Sequence, residues 1–109
     1  MVNLDAFSEM DIRIGKIISV EDHEKARKPM YKLSVDFGPE IGLRTIVAGV
    51  KGDYTKEDLN GMKVACIVNL EPKTIAGIES QGMMLAAGET GNVSILVPNR
   101  DVAEGTRVH

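Results

Sequence analysis

Hydrophobic and polar positions alternate most cleanly along Tyr31-Lys32-Leu33-Ser34-Val35-Asp36-Phe37. Successive side chains of an extended chain point to opposite faces. Tyr31, Leu33, Val35 and Phe37 therefore share a buried face, and Lys32, Ser34 and Asp36 a wet one. An earlier strand is read over residues 11–20, where Ile12 and Ile14 alternate with Arg13 before the phase shifts between Gly15 and Ile17. A glycine at such a shift predicts a bulge or sharp bend, the device that curls a sheet into a barrel. Residues 43–50 form a third strand, 62–69 a fourth and 83–87 a fifth, with a short further strand at 92–97. Residues 38–42 read as a hairpin turn. Asn3 caps a short opening helix whose Phe7 and Met10 are expected to anchor it to the core. Thr55 caps one or two helical turns that carry Glu57, Asp58 and Leu59 and stop at Gly61.

Five main strands, a helix between the third and fourth, and a bent first strand predict an all-β, five-stranded OB-fold barrel with short helices. An SH3-like barrel fits the strand count nearly as well; the helix placement favours the OB arrangement. Residues 1–109 are expected to form one domain, without repeats or linkers.

Composition narrows the function classes. A hydrophobic fraction of 43% and a charged fraction of 27% suit an ordinary globular protein and argue against disorder. No apolar run approaches the ~20 residues of a membrane span. The opening residues lack the basic and apolar regions of a signal peptide. The one cysteine, Cys66, sits in an apolar run and is expected to be a small core residue in a reducing cytosol, which points to a cytoplasmic protein. His23, Cys66 and His109 have no metal-ligand spacing, and no cofactor motif is present. Glu57 and Asp58, as neighbours on a helix, do not face each other, so they read as a capping turn and not a catalytic pair. Cys66 has no basic neighbour to activate it, and neither histidine looks recruited. Catalysis is not expected, and no catalytic residue is assigned.

The formal net charge of −3 runs against generic phosphate binding, whose affinity comes largely from counterion release by basic residues. Lys25, Arg27, Lys28 and Lys32 nevertheless crowd one stretch. Two readings of it stand side by side: a solvated loop offset by Glu21, Asp22 and Glu24, or an arm bordering a nucleic-acid groove. The aromatics are Phe7, Tyr31, Phe37 and Tyr54, and the pattern places Tyr31 and Phe37 in the core. Little is left for stacking bases, so any RNA would be read through backbone and shape.

The most informative stretch is residues 69–87. Pro72 breaks the ladder of the fourth strand, and a mixed loop follows through Lys73 and Gly77 to the tripeptide Ser80-Gln81-Gly82. Met83 and Met84 then enter the next strand, Met84 toward the core and Met83 beside the loop. A base, hydroxyls and an amide held between two buried strands can present donors rigidly to a ligand.

This run resembles the signature of the tRNA-binding domains that stand alone or are appended to methionyl-tRNA synthetases. Residues 44–50, residues 54–61 and the opening Asp11-Ile12-Arg13-Ile14-Gly15 resemble them too, as do parts of eukaryotic synthetase cofactors. The resemblance implies an OB-fold that holds the outside of the tRNA elbow with little sequence preference, in many members as a homodimer. It implies a factor acting in trans, with Lys32, Arg44 and Lys73 meeting phosphates. Asn69, Ser80 and Gln81 would donate hydrogen bonds, and Met83 would add apolar contact. A dimer interface is expected at the N-terminal segment and the tail 102–108, and a synthetase is an expected partner. Residues 26–33 and 36–42 are similar instead to CsaA, a small secretion-related chaperone of the same fold that binds peptides. The alternative is therefore an unfolded peptide as ligand, in a groove near Met30, Tyr31 and Met83. A docking role on a synthetase without RNA contact is a third reading.

Overall fold

The computed structural model describes residues 1–109. Its frame is an antiparallel sheet built on β1 (Ile12–Asp22), an 11-residue strand long enough to pair with different partners along its length. The first half of β1 pairs with β4 (Lys63–Ile67), from Ile12↔Ile67 to Lys16↔Lys63. Its second half pairs with β2 (Tyr31–Asp36), from Lys16↔Asp36 to Asp22↔Tyr31. β3 (Leu43–Ala48) lies on the far side of β2, and four short strands precede β9 late in the chain: β5 (Lys73–Ile75), β6 (Ile78–Ser80), β7 (Met83–Met84) and β8 (Ala86–Ala87). The five-stranded sheet runs β3-β2-β1-β4-β7, while β5 pairs with β6 and β8 with β9 (Ser94–Ile95). This nearly closed five-stranded barrel, with a helix between β3 and β4, is the OB arrangement.

Three short helices complete it. α1 (Leu4–Ser8) is capped by Asn3, which accepts from the Ala6 N–H. α2 (Gly38–Ile41) occupies the connection read as a hairpin turn. α3 (Lys56–Leu59) begins with a complete capping box between Thr55 and Asp58 and drives Leu59, fully buried, into the barrel.

The bend of β1 differs from the expectation. Pairing with β4 is regular through Gly15, and the register shift falls between Ile17 and Ser19. The apparent change of phase arises because both faces of β1 are apolar. Ile17 joins the main core with Leu33, Val35, Phe37, Ile46, Val64 and Cys66, whereas Ile12 and Ile14 form a second cluster with Ala65 and Ile67 on the other face. Gly15 is glycine for another reason: a Cβ there would lie 2.5 Å from the Phe37 ring and 2.6 Å from Val35.

The second cluster is covered in part by Leu85, Val102 and Val108. The C-terminal segment reaches it by pairing with the open edge of β1. Gly105 and Val108 donate to the Ile14 and Ile12 carbonyls, and the Ile14 N–H donates to Thr106. The expected anchoring of α1 is corrected: Phe7 is 38% and Met10 49% exposed, and no residue of α1 is buried. Five residues are too few to present an apolar face. Polar bonds hold this end instead, from Asn69 to the Glu9 carbonyl and from Arg107 to the Ser8 carbonyl.

Candidate nucleic-acid interface

The barrel is closed between β3 and residues 80–82 mainly by side chains. The Gln81 N–H donates to the Thr45 carbonyl at 2.8 Å, and the Gln81 side-chain oxygen accepts from the Thr45 N–H at 2.9 Å. One step along, Ser80 Oγ accepts from the Val47 N–H at 3.0 Å and donates to the Gly82 carbonyl at 3.2 Å. Arg44 Nη1 donates to the carbonyls of Val68 and Gln81, both at 3.1 Å. Two side chains thus stand where a backbone ladder would run, satisfying amides that burial would otherwise leave unpaired. Gly82 passes this seam at φ +152°, where a Cβ would come within 2.8 Å of the Ile67 carbonyl.

The stretch read from sequence as a mixed loop is a β-hairpin. β5 and β6 pair from Lys73↔Ser80 to Ile75↔Ile78 around the two-residue turn Ala76-Gly77. Both turn residues have positive φ, 48° and 88°, as a type I′ turn requires. The hairpin stands against β3 with depressions around it. One cavity, of about 580 Å³, is walled by Val47, Leu70, Ile75 and Met83, with Lys73 and Ser80 at its polar side. Another, of about 430 Å³, separates the hairpin tip at Ile75 and Ala76 from Lys25, Arg27, Lys28 and Met30.

The residues assigned from sequence fall into groups. Lys73, Ser80 and Met83 line the larger cavity together. Met83 is 47% exposed there while Met84 packs on the core. Arg44 and Gln81 lie in the seam behind it; the Gln81 amide nitrogen has no protein acceptor. Lys32 stands on β2 opposite Val47 and is paired with Glu21 at 3.2 Å. Asn69 lies apart, between the Asp11 N–H and the Glu9 carbonyl, both at 2.8 Å.

Charge pairing separates the cations further. Asp22 bridges Lys51 at 2.8 Å and Lys56 at 3.0 Å, and these hydrogen bonds hold its carboxyl below the usual range. Lys25, Arg27, Lys28 and Lys73 have no ion-pair partner, and all four border the hairpin. Glu24, Glu71 and Glu79 in the same region are also without an ion-pair partner. The four free cations thus face three free carboxylates, and the local excess of positive charge in this region is small. The aromatic rings stay out of it: Tyr31 and Phe37 are buried, and Tyr54 is half-buried with its hydroxyl accepting from the Ile95 N–H.

His23 was not anticipated. It is 5% exposed, and its Nε2 lies 2.7 Å from the Ile75 carbonyl in the hairpin. A lone histidine in a charged run carries no sign of a partner 52 positions away.

Comparison with known proteins identifies the family. A family model described as "Putative tRNA binding domain" matches residues 12–107. The methionine–tRNA ligase of Thermococcus onnurineus is 47% identical over 107 residues, 98% of this chain and 14% of that protein. That of Methanococcus vannielii is 42% identical over 109 residues, all of this chain and 16% of the ligase. The chain thus spans only a small part of these relatives. Among solved structures, the CsaA chaperone of Picrophilus torridus superposes with a TM-score of 0.94 at 35% identity, covering both chains fully. A methionyl-tRNA synthetase-related protein of Pyrococcus horikoshii gives 0.89 at 34% identity, covering 100% of this chain and 98% of the other. The chain belongs to the tRNA-binding domain family whose members include these synthetase-related proteins.

Proposed function

We propose that this protein is a non-catalytic tRNA-binding factor that holds tRNA through its backbone and shape, acting in trans in the cytoplasm beside a methionyl-tRNA synthetase. The observation that carries this reading is the hairpin of residues 73–80, bordered by the unpaired cations Lys25, Arg27, Lys28 and Lys73 with no exposed aromatic ring beside it. Cations without stacking platforms suit phosphates on a folded RNA better than bases on a single strand. Lys73 meets phosphate directly; Lys32 joins when it exchanges Glu21 for the RNA. The free Gln81 amide faces ribose or phosphate from the seam. Ser80, 5% exposed and with its one hydroxyl hydrogen given to the Gly82 carbonyl, holds the seam and does not donate to the ligand. Arg44 supports the site through its bonds to the Val68 and Gln81 carbonyls, whereas Asn69 ties down the N-terminal segment and takes no part in it. Met83 gives apolar contact. Holding tRNA near an enzyme raises its local concentration without adding base specificity.

The factor works as a homodimer. Val2, Leu4, Phe7 and Met10 are exposed at the N-terminal end, beside the half-buried Val102 and Val108, and a second copy covers them. Sedimentation at micromolar concentration tests this: a dimer that Leu4→Asp/Phe7→Asp converts to monomer is the expected result, and a wild-type monomer contradicts it.

The experiment on the main reading is Lys73→Ala titrated with several purified tRNAs over a range of salt. Loss of one phosphate contact weakens all of them alike and lowers the salt slope by about 1. An unchanged affinity, or weakening confined to one tRNA, counts against it.

A second reading is favoured by the apolar walls of the larger cavity, Val47, Leu70, Ile75 and Met83, which suit an unfolded peptide as well. Competition separates the two. A peptide that binds there with salt-insensitive affinity and displaces tRNA supports CsaA-like use of the site.

A further inference from the structure

The hairpin is joined to the barrel at its base by Ser80 and Gln81, but its outer part has one such link. Beyond the pairing within the hairpin itself, the hydrogen bond from His23 to the Ile75 carbonyl is the only one between residues 73–79 and the rest of the protein. A carbonyl can only accept, so Nε2 carries the hydrogen and donates across 2.7 Å. The same residue also closes the basic loop. The His23 N–H donates to the Met30 carbonyl at 3.0 Å, and its own carbonyl accepts from the Ala26 N–H at 3.2 Å. The ring is 5% exposed, so this link is shielded from competing water.

We infer that His23 is a positioning residue for RNA binding, locking the basic loop 23–30 to the hairpin so that Lys25, Arg27 and Lys28 face the same phosphates as Lys73. The inference rests on the tRNA-binding reading and extends the contact surface to three cations that the sequence left undecided. Those cations flank the cavity of about 430 Å³ between loop and hairpin tip. Ile75, whose carbonyl His23 holds, lines that cavity opposite the loop. Long, flexible basic side chains bind a phosphate array more tightly when the segments carrying them are fixed in advance. Glu21 and Asp22 on the adjoining strand end are paired with Lys32, Lys51 and Lys56, while Glu24 is unpaired and faces the neighbouring depression.

The test uses the full chain, unfractionated tRNA as probe, and four variants. His23→Phe keeps the ring volume and removes the donor; His23→Gln places an amide donor near the position of Nε2. Lys73→Ala and the double variant Arg27→Ala/Lys28→Ala test the surface itself. Hydrogen exchange is followed in the hairpin and in β1–β4. The expected result for His23→Phe is faster exchange confined to residues 73–80, tRNA binding roughly five- to tenfold weaker, and a shallower salt slope. His23→Gln restores all three.

Wild-type tRNA affinity in His23→Phe, with both lysine and arginine variants weakened, overturns the positioning role and leaves the tRNA reading standing. Exchange that rises throughout β1–β4 makes His23 a residue of the fold and also overturns it. If Lys73→Ala and Arg27→Ala/Lys28→Ala bind tRNA normally, the tRNA reading itself fails.

Discussion

At the scale of single residues, the chemistry is quiet in the core and unfinished at the hairpin. Burial pushes the Cys66 thiol up to about 12, so it is neither nucleophile nor ligand at neutral pH. A thiol-reactive disulfide reagent is expected to leave it untouched in the folded protein and to react once urea unfolds the chain. Rapid labelling of the native state contradicts this. Ala76 holds φ 48° at the hairpin turn, a conformation that costs an L-residue roughly 1–2 kcal/mol. Glycine relieves that strain but adds about 0.4–1 kcal/mol of unfolded-state entropy. Ala76→Gly should therefore raise stability by up to about 1.6 kcal/mol, read as a later urea midpoint. Residues of this kind were unevenly legible. The alternation around Tyr31 and Phe37 announced their burial, and the split between Met83 and Met84 followed from strand parity. His23 was illegible because its partner is a backbone carbonyl, which has no signature in sequence.

At the scale of elements, β1 and the β3 seam determine where the site lies. Runs of alternating residues and the Thr55 capping box made the main strands and α3 readable. The two-faced burial of β1 was not, because Ile12 and Ile14 serve a cluster distinct from that of Ile17. The hairpin was hidden as well. Its strands are three residues each, too short for a period to emerge, and Ala-Gly is a weak turn signal beside Asn-Gly. The seam shows that Ser80 and Gln81 have a structural duty apart from any ligand. Ser80→Ala leaves the buried Val47 N–H without its acceptor and should cost about 1–3 kcal/mol. A denaturation midpoint equal to wild type would show that the seam does not need this bond. Gly15→Ala should be more severe, since the Phe37 ring and Val35 leave no room for a methyl group.

At the scale of the molecule, charge governs the pH dependence of stability and underlies the proposed binding. Four carboxyls are held below their ordinary 3.8: Asp11 by Arg13, Asp22 by Lys51 and Lys56, Asp58 by the Thr55 cap, and Asp101 by Lys63. In the folded state they release protons more readily than in the unfolded chain. Their stabilisation is complete above about pH 5 and is lost as pH falls through the lowered values. The alkaline side has the opposite sign. An unfolded Cys66 ionises near 9.0 while the folded one does not, and Lys56 and Lys63 are raised above 10.5. Urea midpoints should therefore be level from about pH 5 to 8 and fall on both sides. A midpoint that rises below pH 4 contradicts these pairings. The same distribution of charge leaves Lys25, Arg27, Lys28 and Lys73 without ion-pair partners around one hairpin, against the free carboxylates Glu24, Glu71 and Glu79. The proposed function depends on that small positive excess.

The most direct measurement is a titration of the purified protein with unfractionated tRNA at two salt concentrations, with an unfolded polypeptide as competitor. The account predicts tight binding at low salt that weakens steeply at high salt and resists the polypeptide. Absence of binding at low salt, or binding indifferent to salt and displaced by the polypeptide, would contradict it.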